Sequence, residues 1–172
     1  GYSVSLSDDG NVVAIGAPNT NGNGWETGQT RVFELKDESW VQRGDDINGD
    51  QYDGAGYSVS LSDDGNVVAI GVPHKDVSDS GTTRVYQWNG VSWGQLGTDI
   101  DGAGIHDKSG WSVSLSDDGK TVAIGTAYSD VNGQDSGQVH VYEWDDGSSS
   151  WVQSLDIDGE ATNDNAGWSV SL

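Results

Sequence analysis

The chain has 172 residues, room for one ordinary domain, and its 28 acidic against 7 basic residues give a formal charge of −21. Binding to nucleic-acid phosphates or anionic membranes rests on lysine and arginine, so this balance argues against both partners. Cysteine is absent, which removes disulfides, thiol catalysis and cysteine–zinc sites, and no apolar run approaches the ~18 residues of a membrane-spanning helix.

What remains compatible with the charge is a cation, a neutral glycan or a basic protein partner, although acidity equally serves solubility in salty water. Glycine is abundant at 26, proline scarce at 2 and tryptophan frequent at 8. Short β-branched runs separated by glycine, serine and aspartate are the grammar of an all-β chain, and no window has helical periodicity.

The chain opens on Gly1-Tyr2-Ser3-Val4-Ser5-Leu6-Ser7-Asp8-Asp9-Gly10, and the phrase returns, with Tyr or Trp second, at Gly56 and Gly110. Its first six residues return once more at 167–172, so successive starts lie 55, 54 and 57 residues apart. A fixed period of this length marks a repeat architecture, in which each unit buries its apolar face on its neighbours. The units run over 1–55, 56–109 and 110–166, and 167–172 reads as the first strand of a further one. Two copies of the chain closed into a six-bladed ring would leave that strand without a place. With the absence of methionine, it predicts a segment of a longer array, closed or filamentous.

Within the second unit, Tyr57, Val59 and Leu61 alternate with Ser58, Ser60 and Ser62, which predicts a strand with one bulky and one small polar face. Asp63-Asp64-Gly65-Asn66 is a turn, and Val67-Val68-Ala69-Ile70-Gly71 a strand buried on both faces, whose small Ala69 and Gly71 admit close approach by another sheet. After a polar stretch over 74–82, Thr83-Arg84-Val85-Tyr86-Gln87-Trp88 alternates again; Asn89-Gly90 turns the chain into an outer strand, Trp93-Gly94-Gln95-Leu96. The first unit repeats this through Arg31-Val32-Phe33-Glu34-Leu35 and Trp40-Val41-Gln42, the third through Val139-His140-Val141-Tyr142-Glu143-Trp144 and Trp151-Val152-Gln153. Four antiparallel strands in about 45 residues make the blade of a β-propeller.

Gly1-Tyr2 with Gly16-Ala17-Pro18, Gly56-Tyr57 with Gly71-Val72-Pro73, and the weaker Gly110-Trp111 with Gly125-Thr126-Ala127 resemble the FG-GAP repeat of integrin α-subunit propellers and of many secreted proteins. The resemblance covers all three units. It implies a propeller, usually seven-bladed, with a role in adhesion. Many blades of that family bind calcium in a long acidic loop between the first two strands. Here that link is only Asp8-Asp9-Gly10-Asn11 and its counterparts, too short to wrap an ion that wants six to eight oxygens. Ser-Asp-Asp-Gly is read as turn chemistry.

The remaining metal candidates lie in the links between units: Asp46, Asn48 and Asp53; Asp99, Asp101 and Asp107; Asp156, Asp158 and Asp164. In extended backbone the residues flanking Ile47, Ile100 and Ile157 point to one side, so two oxygen-bearing side chains meet there, a pattern suited to Ca2+. Alternatively the isoleucines plug the core between blades and the aspartates cap backbone amides. Asp130-Val131-Asn132-Gly133-Gln134-Asp135 looks like half a calcium loop but lacks a terminal bidentate carboxylate; Asp76-Val77-Ser78-Asp79 is poorer, and 19–27 has no comparable set.

Trp40, Trp93 and Trp151 recur at one place in the unit, as do Trp88 and Trp144 with Leu35, which predicts a shared packing role. Trp25 does not recur and sits among glycine and asparagine, as either a sugar-stacking platform or a local cover for the core. His74, His106 and His140 occupy unrelated places and form no catalytic or metal-ligand spacing, and no phosphate-cradling glycine loop occurs. The expectation is therefore a non-enzymatic, extracellular or secreted repeat module that binds a protein or glycan ligand through its loops. The alternative is a structural block of an extracellular assembly that contacts other copies of itself.

Overall fold

The computed structural model describes residues 1–22, 24–75 and 78–172, and among them every regular element is a β-strand. The first sheet runs β1 (Ser3–Leu6), β2 (Val12–Gly16), β3 (Gln29–Lys36), β4 (Ser39–Gln42), with β5 (Ile47–Asn48) also on β3. The second holds β6 (Ser58–Leu61), β7 (Val67–Val72), β8 (Thr82–Trp88), β9 (Trp93–Gln95) and β10 (Ile100–Asp101), with β9 and β10 both on β8. The third holds β11 (Ser112–Leu115), β12 (Thr121–Thr126), β13 (Gln138–Asp145) and β14 (Ser150–Asp158). The pairings between these strands are antiparallel, and the registers repeat from sheet to sheet: Val4 faces Ile15, Val59 faces Ile70, Val113 faces Ile124. These are three successive propeller blades.

The outer edge departs from the reading above. Gly44 and Gly97, both at φ 79, break the fourth strand of the first two blades, after which β5 and β10 return to the sheet. The segments around Ile47 and Ile100, taken above as links, are therefore the tail of the outer strand. The third blade has one residue fewer between Trp151 and Ile157, without this glycine, and β14 runs through unbroken.

Blades stack face on face. Val12, Ala14, Val32 and Ile47 of the first pack on Val59, Leu61, Val68, Ile70 and Val72 of the second, with Tyr86 and Trp93 at the rim. The same contact recurs between the second and third, from Val67, Ala69, Val85 and Ile100 onto Val113, Leu115, Val122 and Ile124. β7 is buried at every position, as its unbroken apolar run requires. At the outer rim the Nε1–H of Trp93 donates to Arg43 O at 2.8 Å and that of Trp151 to Leu96 O at 2.9 Å.

The glycines of the repeated motif explain how the sheets come so close. A Cβ on Gly16 would lie 2.1 Å from Gly56 O, one on Gly71 2.1 Å from Gly110 O, and one on Gly125 1.9 Å from Gly167 O. The receiving carbonyls accept a hydrogen bond from a serine of the preceding blade: Ser3 Oγ to Gly56, Ser58 Oγ to Gly110, Ser112 Oγ to Gly167, at 2.8–2.9 Å. Gly56, Gly110 and Gly167 are themselves at φ 84–88, in the left-handed region that glycine enters without steric cost.

Ser-Asp-Asp-Gly is a turn in each blade. Ser7 Oγ and the Asn11 N–H both donate to Asp9, and Ser7 Oγ accepts from Val12 N; Ser62, Asp64 and Ser116, Asp118 repeat the arrangement. The preceding aspartates form a rail between blades, Asp8 N–H donating to Asp63 O and Asp63 N–H to Asp117 O at 3.0 Å. Residues 167–172 lie against β11 in the place of an inner strand, Leu172 N–H donating to Ser114 Oγ as Leu61 does to Ser5 and Leu115 to Ser60.

Gly71→Ala is expected to destabilise the fold by about 1–3 kcal/mol, since the methyl group meets backbone that cannot retreat. Gly94→Ala, where a Cβ meets open space, should be close to neutral. Chemical denaturation of the two variants beside the parent chain checks this, and equal stability would remove the close-approach role of Gly71.

Candidate functional site: the loop and linker face

At the end of each blade opposite the Asp-Asp-Gly turns, the loop between strands two and three runs beside the linker to the next blade. The two are zipped by backbone hydrogen bonds. In the first blade Gly49, Tyr52, Gly54 and Ala55 donate to the carbonyls of Gly28, Trp25, Glu26 and Thr27 at 3.0–3.3 Å. Gly102, His106, Lys108 and Ser109 do the same to Gly81, Ser78, Asp79 and Ser80, and Gly159, Asn163, Asn165 and Ala166 to Gly137, Gln134, Asp135 and Ser136. Parallel bridges join Gly28 to Ala55, Gly81 to Ser109 and Gly137 to Ala166.

The backbone template repeats closely while its side chains change. One left-handed linker position holds Tyr52 (φ 70), His106 (φ 66) and Asn163 (φ 65); another holds Gly54 (φ 62), Lys108 (φ 57) and Asn165 (φ 52). A left-handed loop position holds Glu26, Asp79 and Asp135 at φ 49–51, preceded by Trp25, Ser78 and Gln134.

The aromatic residues that open the blades run in a row along the inner edge of this face. Ring centroids are 4.8 Å apart from Tyr2 to Tyr57, 4.7 Å from Tyr57 to Trp111 and 5.1 Å from Trp111 to Trp168. His74 meets Tyr57 edge-on, Tyr128 meets Trp111, and the Lys108 ammonium lies 5.0 Å from the Tyr128 ring centre. Burial, with the neighbouring Tyr2 hydroxyl, pushes the Tyr57 hydroxyl well above its ordinary range, so it stays protonated. Between the second and third blades lies an open cavity of about 380 Å³ whose wall includes Asp79, His106, Lys108, Tyr128 and Asp130. His74 and His106 both approach Asp79, at 3.6 and 3.8 Å. Asp107 nearby has its carboxyl raised by burial and by the Asp130 carboxylate.

The carboxylates proposed from sequence for a cation are engaged by the protein's own donors. Asp99 and Asp101 do share a side, and Lys75 Nζ sits between them at 2.9 and 2.7 Å. Arg84 adds bonds to Asp99 (3.1 Å), to Asp53 (2.9 Å) and to Asp50 (3.1 Å), tying the second blade to the linker before it. Asp46 accepts from Gln29, Arg31 and Gln42, and Asn48 from Gln29. Asp156 faces His140 at 2.6 Å, Asp158 accepts from Gln138, and Asp53 and Asp164 cap the amides of Asp50 and Ala161. Among the described residues no three His, Asp or Glu side chains converge as a metal site. Asp130 caps Asp135 N within its own loop; Asp76 and Val77, in the poorer counterpart of that loop, lie outside the described residues.

Burial raises the Asp99 carboxyl, but Lys75, Gln95 and Arg84 together outweigh this and hold it below the usual range. Sequence reasoning missed Arg84 and Lys75, since their partners lie 15–34 residues away. It missed Tyr52 too. Aligning the linkers on Ala55, Ser109 and Ala166 would have set Tyr52 opposite Asn163, a residue type suited to left-handed backbone. Trp25 is exposed at the crossing of loop and linker.

Residues 98–142 match the family model of the FG-GAP repeat, in agreement with the resemblance read from the motifs. No curated protein sequence matches the chain. Among solved structures, the hydrazine synthase of Kuenenia stuttgartiensis is similar over 98% of this chain and 37% of its own, at 12% identity and a TM-score of 0.61. Sqt1 of Saccharomyces cerevisiae is similar over 93% and 36%, at 13% and 0.60. The periplasmic gluconolactonase of Pseudomonas aeruginosa is similar over 90% and 44%, at 13% and 0.56. The chain thus spans less than half the length of each. At such identities the likeness shows the propeller fold and nothing of activity.

Arg84→Ala should cost about 3–5 kcal/mol at neutral pH, because it strands Asp53 as a buried charge. Asp99, with its lowered folded pKa, contributes stability that is present above the usual carboxylate range and is lost as pH falls through that folded value. The deficit of the variant should therefore shrink in acid. Denaturation at neutral and acid pH checks both, and a deficit that grows in acid would contradict the network.

Proposed function

We propose that this chain, built of propeller blades with an FG-GAP repeat at 98–142, is a non-enzymatic module that binds a protein or glycan ligand through its loop and linker face. The observation that carries the reading is the contrast between the two ends of the blade. The Ser-Asp-Asp-Gly end keeps both backbone and side chains from unit to unit. The loop and linker end keeps its backbone and its left-handed positions, yet presents Trp25, Glu26 and Tyr52 in one blade, Asp79, His106 and Lys108 in the next, Gln134, Asp135 and Asn163 in the third. A rigid scaffold that carries changeable side chains on loops is the general arrangement of a recognition surface. An extracellular or secreted setting belongs to the same proposal, supported by the FG-GAP likeness and by a charge of −21 that salt screens.

The expected outcome is that Asp79→Ala with Asp135→Ala abolishes binding to an immobilised panel of matrix proteins and glycans, while Asp9→Asn with Asp118→Asn at the opposite end leaves it intact. Binding lost equally from both ends, or from neither, would sink the reading.

A further inference from the structure

Trp25 and Tyr52 are neighbours through their backbones and not through their rings. They meet at one crossing of the zipper, Tyr52 N–H donating to Trp25 O at 3.1 Å. Trp25 is 69% and Tyr52 60% exposed, and among the described residues neither ring stacks on an aromatic or a cation. The remaining tryptophans and tyrosines of the first strands, by contrast, spend their faces on one another.

Tyr52 also holds a backbone conformation that suits it poorly. At φ 70 it sits in the left-handed region, where a bulky residue is a genuine outlier, and where the third blade has the better-suited Asn163. Exposure rules out packing as compensation for that strain. Strain at an exposed aromatic, in a loop otherwise well hydrogen-bonded, marks a position kept for what it touches. Close to them along the chain, Asn21 accepts from Glu26 N–H at 2.8 Å, and Asp50, one of whose oxygens meets Arg84 at 3.1 Å, and Gln51 lead into Tyr52 and are exposed. Uncovered rings with amides and carboxylates beside them along the chain suit a ligand with an apolar C–H face and hydroxyl edges.

We infer that Trp25 and Tyr52 are the platform of a saccharide subsite for uncharged glycans. The rings take the C–H face of a pyranose, and Asn21, Glu26, Asp50 and Gln51 take hydroxyls at its edge. The acidic border and the net charge of −21 exclude sulfated and uronic-acid chains by repulsion. This rests on the loop and linker face being the ligand surface, and it names the ligand class for the first blade.

The test is a calorimetric and tryptophan-fluorescence titration of the whole chain with cellohexaose, chitohexaose and a heparin hexasaccharide. Saturable binding of a neutral hexasaccharide and none of heparin is expected. Trp25→Ala and Tyr52→Ala should each weaken it at least tenfold, about 1.4 kcal/mol. Tyr52→Asn should weaken it as much while raising Tm by roughly 2–4 °C, the response expected of this chain length for relief of backbone strain. A purely structural tyrosine would instead lower Tm on replacement. Failure of both neutral probes to bind, preference for heparin, binding indifferent to both substitutions, or a lowered Tm in Tyr52→Asn each overturns the inference. If the neutral sugars fail while a protein ligand is still lost on replacing Asp79 and Asp135, the broader reading of the face stands. If no ligand responds to any residue of this face, that reading falls as well.

Discussion

The contact on which the structure depends is backbone against backbone. Gly16, Gly71 and Gly125 each lie where a single added carbon would fall about 2 Å from the carbonyl of the next blade's opening glycine. Serine hydroxyls at Ser3, Ser58 and Ser112 donate to those carbonyls from the preceding blade, so the close approach leaves each of the three with a donor. Only then can Val12, Ala14 and Val32 reach Val59, Val68 and Ile70, and the latch from Trp93 to Arg43 O close at the rim. The Gly-aromatic and Gly-x-Pro phrases are thus two halves of one joint, written about 40 residues apart in sequence and brought together between blades.

Much of this was legible because strands announce themselves by periodicity and because the unit is written three times. Ala69 and Gly71 already promised close sheet approach, and Asp64 and Gly65 a turn. The outer strand was less legible: Gly44 and Gly97 look like the end of a strand, whereas the sheet resumes at Ile47 and Ile100 once the chain has turned. The carboxylates flanking Ile100 were correctly placed on one side, but their partners Lys75 and Arg84 come from other parts of the blade. Spacing within a segment cannot show that a cationic side chain from elsewhere stands between two acids. The same limit applies to Tyr52, whose oddity lies in a dihedral angle and not in its neighbours along the chain.

Electrostatics differ from joint to joint on a constant frame. Where the second blade uses Arg84 to hold the preceding linker, the corresponding third-strand position is Arg31 in the first blade and His140 in the third, each facing the aspartate of its own outer strand. The steric joint is invariant and the charged one is not. Interfaces of one shape therefore need not have one strength or one response to pH.

The zipper between loop and linker has a mechanical meaning. The linker is the only covalent connection between adjacent blades, and in the first it is fastened to the preceding loop at Gly49, Tyr52, Gly54 and Ala55. Tension drawn along the linker therefore loads these four hydrogen bonds as well as the apolar interface. A ligand that touched loop and linker at once would bridge the same seam and help to hold it closed.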